Sequence, residues 1–213
     1  MLSWTVYLKI FATLLAVVDP IGSVPIFISL TNSQEKRERY RTASVAAITT
    51  SAVLAGACLF GDSVLRLFGV NIASFQVGGG ILLLLMAIAM FHARQSRSRQ
   101  TPEEAIEAGE RSGVAVVPLA IPLLSGPGAI STMIIYSAQG HGPIHTAILV
   151  AGSFLVGLVV WVSLRLAIPL ESALGRTGIN IATRLMALLL VAIAVEFIAG
   201  GLGRIFPGLL YPR

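Results

Sequence analysis

The sequence predicts an all-α membrane protein of six transmembrane helices, built as two inverted three-helix repeats, with helices 1 and 4 broken at proline motifs. Three observations predict it. The 213 residues are 55% hydrophobic and 12% charged, with a mean hydropathy of +0.86, whereas a soluble domain is about a quarter charged. Apolar stretches of the ~20 residues that cross a bilayer as a helix recur six times. A proline motif near the start returns at an equivalent place in the second half.

The six stretches run over about 4–30, 43–61, 72–92, 114–138, 146–169 and 185–205. They form a single transmembrane domain over 1–213, with one repeat over about 1–92, a linking segment over 93–113 and a second repeat over 114–213. In the first stretch Lys9 interrupts the apolar start, and Asp19-Pro20 stands where a cleavage site would need small residues. The segment is therefore expected to be retained rather than removed as a signal peptide.

The connections set the orientation. Segment 31–42 carries Lys36, Arg37, Arg39 and Arg41, segment 93–113 carries Arg94, Arg97, Arg99 and Arg111, and segment 170–184 carries Arg176 and Arg184. With six spans all three fall on one side, which the positive-inside rule makes cytoplasmic, so both termini are expected to be periplasmic. Thr101, Pro102 and Glu104 have the spacing of a capping box that opens a short surface helix. Trp4, Trp161 and Tyr211 lie near span ends as interface anchors, and Arg165 is expected to snorkel. Asn71 and Asn180 are placed to cap the third and sixth spans. His92, His141 and His145 fall at span ends or in a connection and are expected at the surface. Cys58, the only cysteine, lies in an apolar run and reads as a packing residue.

The repeat rests on residues. "PIGSVPIFIS" at 20–29 aligns with "PLLSGPGAIS" at 122–131 at a constant offset of 102, matching Pro20 to Pro122, Ser23 to Ser125 and Pro25 to Pro127. "GVNIAS" at 69–74 aligns with "GINIAT" at 178–183 at an offset of 109. An odd number of spans per half inserts the halves in opposite directions, a pattern many secondary transporters share.

Each proline removes a backbone donor and disfavours helix before it. In hydrocarbon every freed backbone group costs several kcal/mol, so such a break persists only inside protein or beside a wet cavity. Ser23 and Ser125 precede Pro25 and Pro127 by two residues and are positioned to cap the half-helices those prolines begin. A half-helix N-terminus suits a carboxylate and the preceding C-terminus suits a cation. The candidate substrate-binding residues are therefore Asp19, Pro20, Gly22, Ser23, Pro25, Pro122, Ser125, Gly126, Pro127 and Gly128. Asp19 and Glu196 are ionisable groups within spans and the candidates for coupling. A carboxylate at Asp19, beside freed carbonyls, calls for a proton, a sodium ion or a substrate ammonium. A plain proline kink is the structural alternative.

These motifs resemble those of the MarC family of inner-membrane proteins, also described as a neutral amino acid transporter family. "DPIGSVPIF", "PLAIPLLSGPGAIS" and the paired "GVNIAS" and "GINIAT" carry the resemblance, which covers essentially the whole chain. It implies six spans in a bacterial inner membrane and, for some members, transport of small neutral amino acids. The expected partners are the lipid bilayer, a small-molecule substrate and a coupling proton or sodium ion; a homo-oligomer is compatible with the sequence. No nucleic acid partner, cofactor or metal is expected. With no HExxH, no GxSxG and no nucleotide-binding motif, the chain is not expected to be an enzyme. A secondary transporter of a small neutral solute is the first functional expectation; a non-transporting membrane scaffold or regulator is the alternative.

Overall fold

The computed structural model describes residues 3–31, 34–91, 124–140 and 142–207. The described residues are helical throughout, without strands, in the order α1 (Trp4–Val18), α2 (Val24–Leu30), α3 (Lys36–Leu67), α4 (Ile72–Phe91), α5 (Pro127–Ser137), α6 (Pro143–Arg165) and α7 (Ala167–Ile205). Among the described residues four segments are long and apolar enough to cross a bilayer: Lys36–Leu67, Ile72–Phe91, Pro143–Arg165 and Thr177–Ile205. The capping box at Thr101, the linking segment 93–113 and the start of the expected fourth span lie outside the described residues, as do Pro122, His92, His141 and Tyr211.

Local chemistry explains the helix ends, and in several places it moves them from the expected positions. The basic segment after α2 is not a loop: α3 begins at Lys36, so Arg37, Arg39 and Arg41 are helical. Arg39 Nη2 donates to the Thr31 carbonyl at 2.9 Å, placing a cation on the C-terminal dipole of α2. At the far end of α3, Gly69 takes a left-handed φ of 66°. Val70 N–H donates to the Leu65 carbonyl and Gly69 N–H to that of Arg66, the paired bonds of a Schellman motif. Asn71 then caps α4, its Oδ1 accepting the Ala73 N–H at 2.8 Å.

The matching "GINIAT" stretch behaves differently. Asn180 does not open the last span but lies exposed within it. The non-helical residue is Gly175, with φ 63°, and segment 170–184 is otherwise helical rather than a connection. Gly175, five residues upstream, supplies the left-handed turn, so Asn180 has no helix end to cap.

Glycines set the closest approaches. A Cβ on Gly80 would stand 2.9 Å from the Ala194 carbonyl oxygen, and one on Gly201 2.8 Å from that of Ala73. Contacts on α7 thus run backwards as α4 runs forwards, so the two helices are antiparallel and touch backbone to backbone. α3 and α6 pair in the same way, where a Cβ on Gly157 would overlap the Ser51 hydroxyl. α5 is buried between these pairs, with Met133, Ile134 and Ile135 all in the interior and packed on both α3 and α4. The outer surface displays Leu8, Ile48, Phe60, Leu85, Phe154 and Leu188, an apolar belt that suits lipid rather than water.

His145 is not at the surface; it is 3% exposed. Its Nε2 lies 3.1 Å from the Tyr136 carbonyl and its Nδ1 3.0 Å from the Tyr7 hydroxyl. A carbonyl only accepts, so Nε2 carries the proton and, in the neutral ring, Nδ1 accepts from Tyr7. Gly140 makes room, since a Cβ there would stand 2.6 Å from the ring.

Candidate functional site

α1 ends where Pro20 denies it a donor. Pro20 has no N–H to return to the Ala16 carbonyl, and the Gly22 N–H donates to Asp19 Oδ1 at 3.1 Å instead of to Val18. The last carbonyls of α1 are therefore not taken up by the helix itself. Asp19 closes the helix in a left-handed conformation, φ 47°, the only non-glycine residue with positive φ among those described. Such a backbone costs about 1–2 kcal/mol for an ordinary residue, and the side-chain bond to Gly22 is the local compensation that aspartate offers. Asp19 and Ser23 are both buried, at 2% and 1% exposure.

Ser23 does not cap α2. Its hydroxyl donates back to the Pro20 carbonyl at 2.7 Å, stitching the turn closed, while Pro25 sits in the first turn of a helix only seven residues long. Ser125 is not a cap either: Gly126, extended at φ −62° and ψ 176°, takes that place, with Pro127 as the first helical residue of α5. Ser125 is fully buried, and its hydroxyl has no hydrogen-bond partner among the described residues. At the start of α5, Ala129 and Ile130 both donate to the Gly126 carbonyl, leaving the Gly128 amide without an intrahelical acceptor.

The two motifs meet. A Cβ on Gly128 would lie 3.5 Å from the Val17 Cγ1 and 3.0 Å from the Leu83 Cδ2, so the start of α5 rests against the end of α1, two residues before Asp19. The amino end of α5, which carries partial positive charge, thus packs beside the carboxyl end of α1, which carries partial negative charge.

The structure adds a residue that pattern reading did not select. Thr183, the last residue of "GINIAT", is buried on α7. A Cβ on Gly22 would lie 2.8 Å from its Oγ1 and would overlap the Asp19 carboxylate, so hydroxyl and carboxylate converge where Gly22 leaves space. The repeat itself was the available signal: the motif holding Thr183 belongs to the same duplicated unit as the proline motif.

Glu196 is not part of this cluster. It is exposed on α7, thirteen positions beyond Thr183, roughly 20 Å along a helix rising 1.5 Å per residue. It makes no ion pair with Arg165, whose guanidinium instead stacks 4.6 Å from the Tyr40 ring centroid and 4.9 Å from that of Trp161. Among the described residues no cluster of three or more His, Cys, Asp or Glu side chains could hold a metal ion.

Apolar outer faces, four spanning helices and a polar break held in the interior define an integral, multi-pass membrane protein. Residues 4–206 match the MarC family integral membrane proteins, and the chain belongs to that family. It is 40% identical over 207 residues to UPF0056 membrane protein BU267 of Buchnera aphidicola subsp. Acyrthosiphon pisum, covering 97% of this chain and 96% of the relative. It is 40% identical over 205 residues to UPF0056 membrane protein YhcE of Escherichia coli, covering 96% and 95%. UPF0056 membrane protein YvbG of Bacillus subtilis is 36% identical over 199 residues, covering 93% and 94%. No solved structure matches.

Proposed function

We propose that the chain is a secondary transporter of a small neutral solute, with small amino acids the class that fits best, and not an enzyme. The observation that carries this reading is Ser125: a fully buried hydroxyl without a hydrogen-bond partner among the described residues, at the start of a half-helix that touches the opposing break. A buried hydroxyl left unmade costs about 1–3 kcal/mol, a cost a fold sheds easily unless a ligand supplies the partner. The α-carboxylate of an amino acid would take the Gly128 amide and the Ser125 hydroxyl. Its ammonium would face the α1 carbonyls and Asp19, which also offers a place for a coupling proton or sodium ion. The dimensions favour a small side chain, because Gly22 and Gly128 are already in close contact with their neighbours.

The same reading takes the chain as one domain of two inverted three-span repeats in the cytoplasmic membrane, with both termini periplasmic. The antiparallel α4–α7 contact and the arginines at the start of α3 support it. Coupling falls to Asp19 rather than Glu196, which lies far along α7 from Thr183 and the break. The scaffold alternative draws on Ser23 and Gly22, whose bonds close the first break internally.

Uptake of radiolabelled glycine and alanine into proteoliposomes, under imposed proton and then sodium gradients, decides between them. Accumulation above the gradient-free level supports the transporter. Silence across a broad panel of small solutes under both gradients overturns it in favour of the scaffold.

A further inference from the structure

The basic end of the α3–α6 pair carries a feature unrelated to the proline motifs. Arg165, in the last turn of α6, is exposed and has no carboxylate within ion-pair distance among the described residues. It is nonetheless held in place. The rings of Tyr40 and Trp161 flank its guanidinium at 4.6 and 4.9 Å. Trp161 is itself fixed, its Nε1 donating to Ser44 Oγ at 3.0 Å, and Ser44 Oγ donates in turn to the Tyr40 carbonyl at 3.0 Å. Stacking occupies the faces of a guanidinium and leaves its N–H edges open for a planar or tetrahedral anion.

Directly beneath this cation runs a groove of about 340 Å³ between the two helices, lined by Ala47, Ile48, Phe154 and Leu158 and closed at the Arg165 end by Ser44 and Trp161. Gly157 forms its floor, because the absent side chain lets α6 lie against Ser51 and Ala47. Ile48, Phe154 and Leu158 are exposed at 67%, 59% and 53%, so the groove opens outward, onto the hydrocarbon in a membrane-embedded chain. On α3, Lys36 and Arg37, one helical turn before Tyr40, and Arg41, next to it, add exposed positive charge.

We infer that this groove is a binding site for an anionic phospholipid, its phosphate on the Arg165 guanidinium and an acyl chain in the channel between α3 and α6. The occupant follows from complementarity. An apolar channel alone takes any acyl chain, but one ending at a prepositioned, unpaired cation in a basic rim selects lipids of net negative charge. A soluble anion would use the arginine and ignore the channel.

The test is native mass spectrometry of the full chain in detergent, titrated with phosphatidylglycerol and, separately, with phosphatidylcholine of the same acyl chains. Wild type should retain phosphatidylglycerol preferentially. Arg165→Gln, which removes the charge at an exposed position and gives up only the stacking on Tyr40 and Trp161, should weaken that retention about fivefold, the size of one cationic side chain's attraction to an anionic lipid surface. Ile48→Trp, filling the channel from outside, should weaken it too, while Arg66→Gln at the opposite end of α3 should not. Equal retention of the two lipids by wild type, or undiminished phosphatidylglycerol binding by Arg165→Gln, overturns the proposal. Displacement by inorganic phosphate with no effect of Ile48→Trp would mark a free-anion site and also overturn it.

Discussion

The Thr183 hydroxyl of the last span and the Asp19 carboxylate of the first break converge on the point where a Cβ of Gly22 would stand. Residues 161 positions or more apart in sequence are thus held together by the absence of one methyl group. Gly22→Ala should push α2 away from α7, destabilising the protein by about 1–3 kcal/mol as overpacking does and abolishing uptake. Thr183→Val, which keeps the shape and removes the hydroxyl, should fold normally and lose substrate affinity. Unchanged uptake by Thr183→Val, measured in proteoliposomes, would confine Thr183 to a packing role.

Ser125→Ala separates folding from function with unusual clarity. Its hydroxyl makes no bond among the described residues, so removal should leave stability in detergent unchanged or raise it by about 1 kcal/mol. Uptake should nevertheless fall, through a higher half-saturating substrate concentration. A loss of stability with normal uptake would assign the hydroxyl to the fold.

Asp19→Asn retains the Oδ1 that accepts the Gly22 N–H, and asparagine tolerates the left-handed backbone as well as aspartate does. Folding should be close to wild type. If the carboxylate carries the coupling ion, gradient-driven accumulation disappears while substrate exchange across the membrane persists. Wild-type accumulation by the variant would reduce Asp19 to a helix-end cap.

Topology reporters fused after residue 100 and at the C-terminus are expected on opposite sides of the membrane. Matching signals would remove the inverted repeat and, with it, the pairing of the two breaks.

Tyr7→Phe removes the donor to a buried imidazole nitrogen. The loss should cost about 1–3 kcal/mol, the penalty of an unsatisfied buried acceptor, read as a lower unfolding midpoint. No change would mean that water reaches His145 Nδ1.

The membrane class, the helical content and the end of α1 at Val18 were legible because proline and hydropathy act locally. Asn71 capped as its position suggested. Asn180, in nearly the same motif, did not, because the turn that would have needed it is made at Gly175, and local sequence does not say which of two nearby glycines will take positive φ. The serines before Pro25 and Pro127 were misassigned as caps: a hydroxyl near a helix start can serve the amides, a neighbouring carbonyl or a ligand. Only the surroundings decide, as Ser23 and Ser125 demonstrate by differing. His145 was expected at the surface because glycines and a proline around a polar residue look like exposed turn, and the space that Gly140 leaves for the ring is a tertiary property. Thr183 needed the three-dimensional coincidence with Gly22.

The glycines at 80 and 201 have a mechanical consequence. Side chains between two helices act as springs, yielding by rotamer changes as the helices slide. Where Gly80 and Gly201 bring main chain against main chain the springs are fewer, so α4 and α7 are geared like a keel and resist sliding past one another. Gly157 gears α3 to α6 in the same manner. Compliance is therefore left to α5, which touches both geared pairs and begins at Pro127, against the broken end of α1.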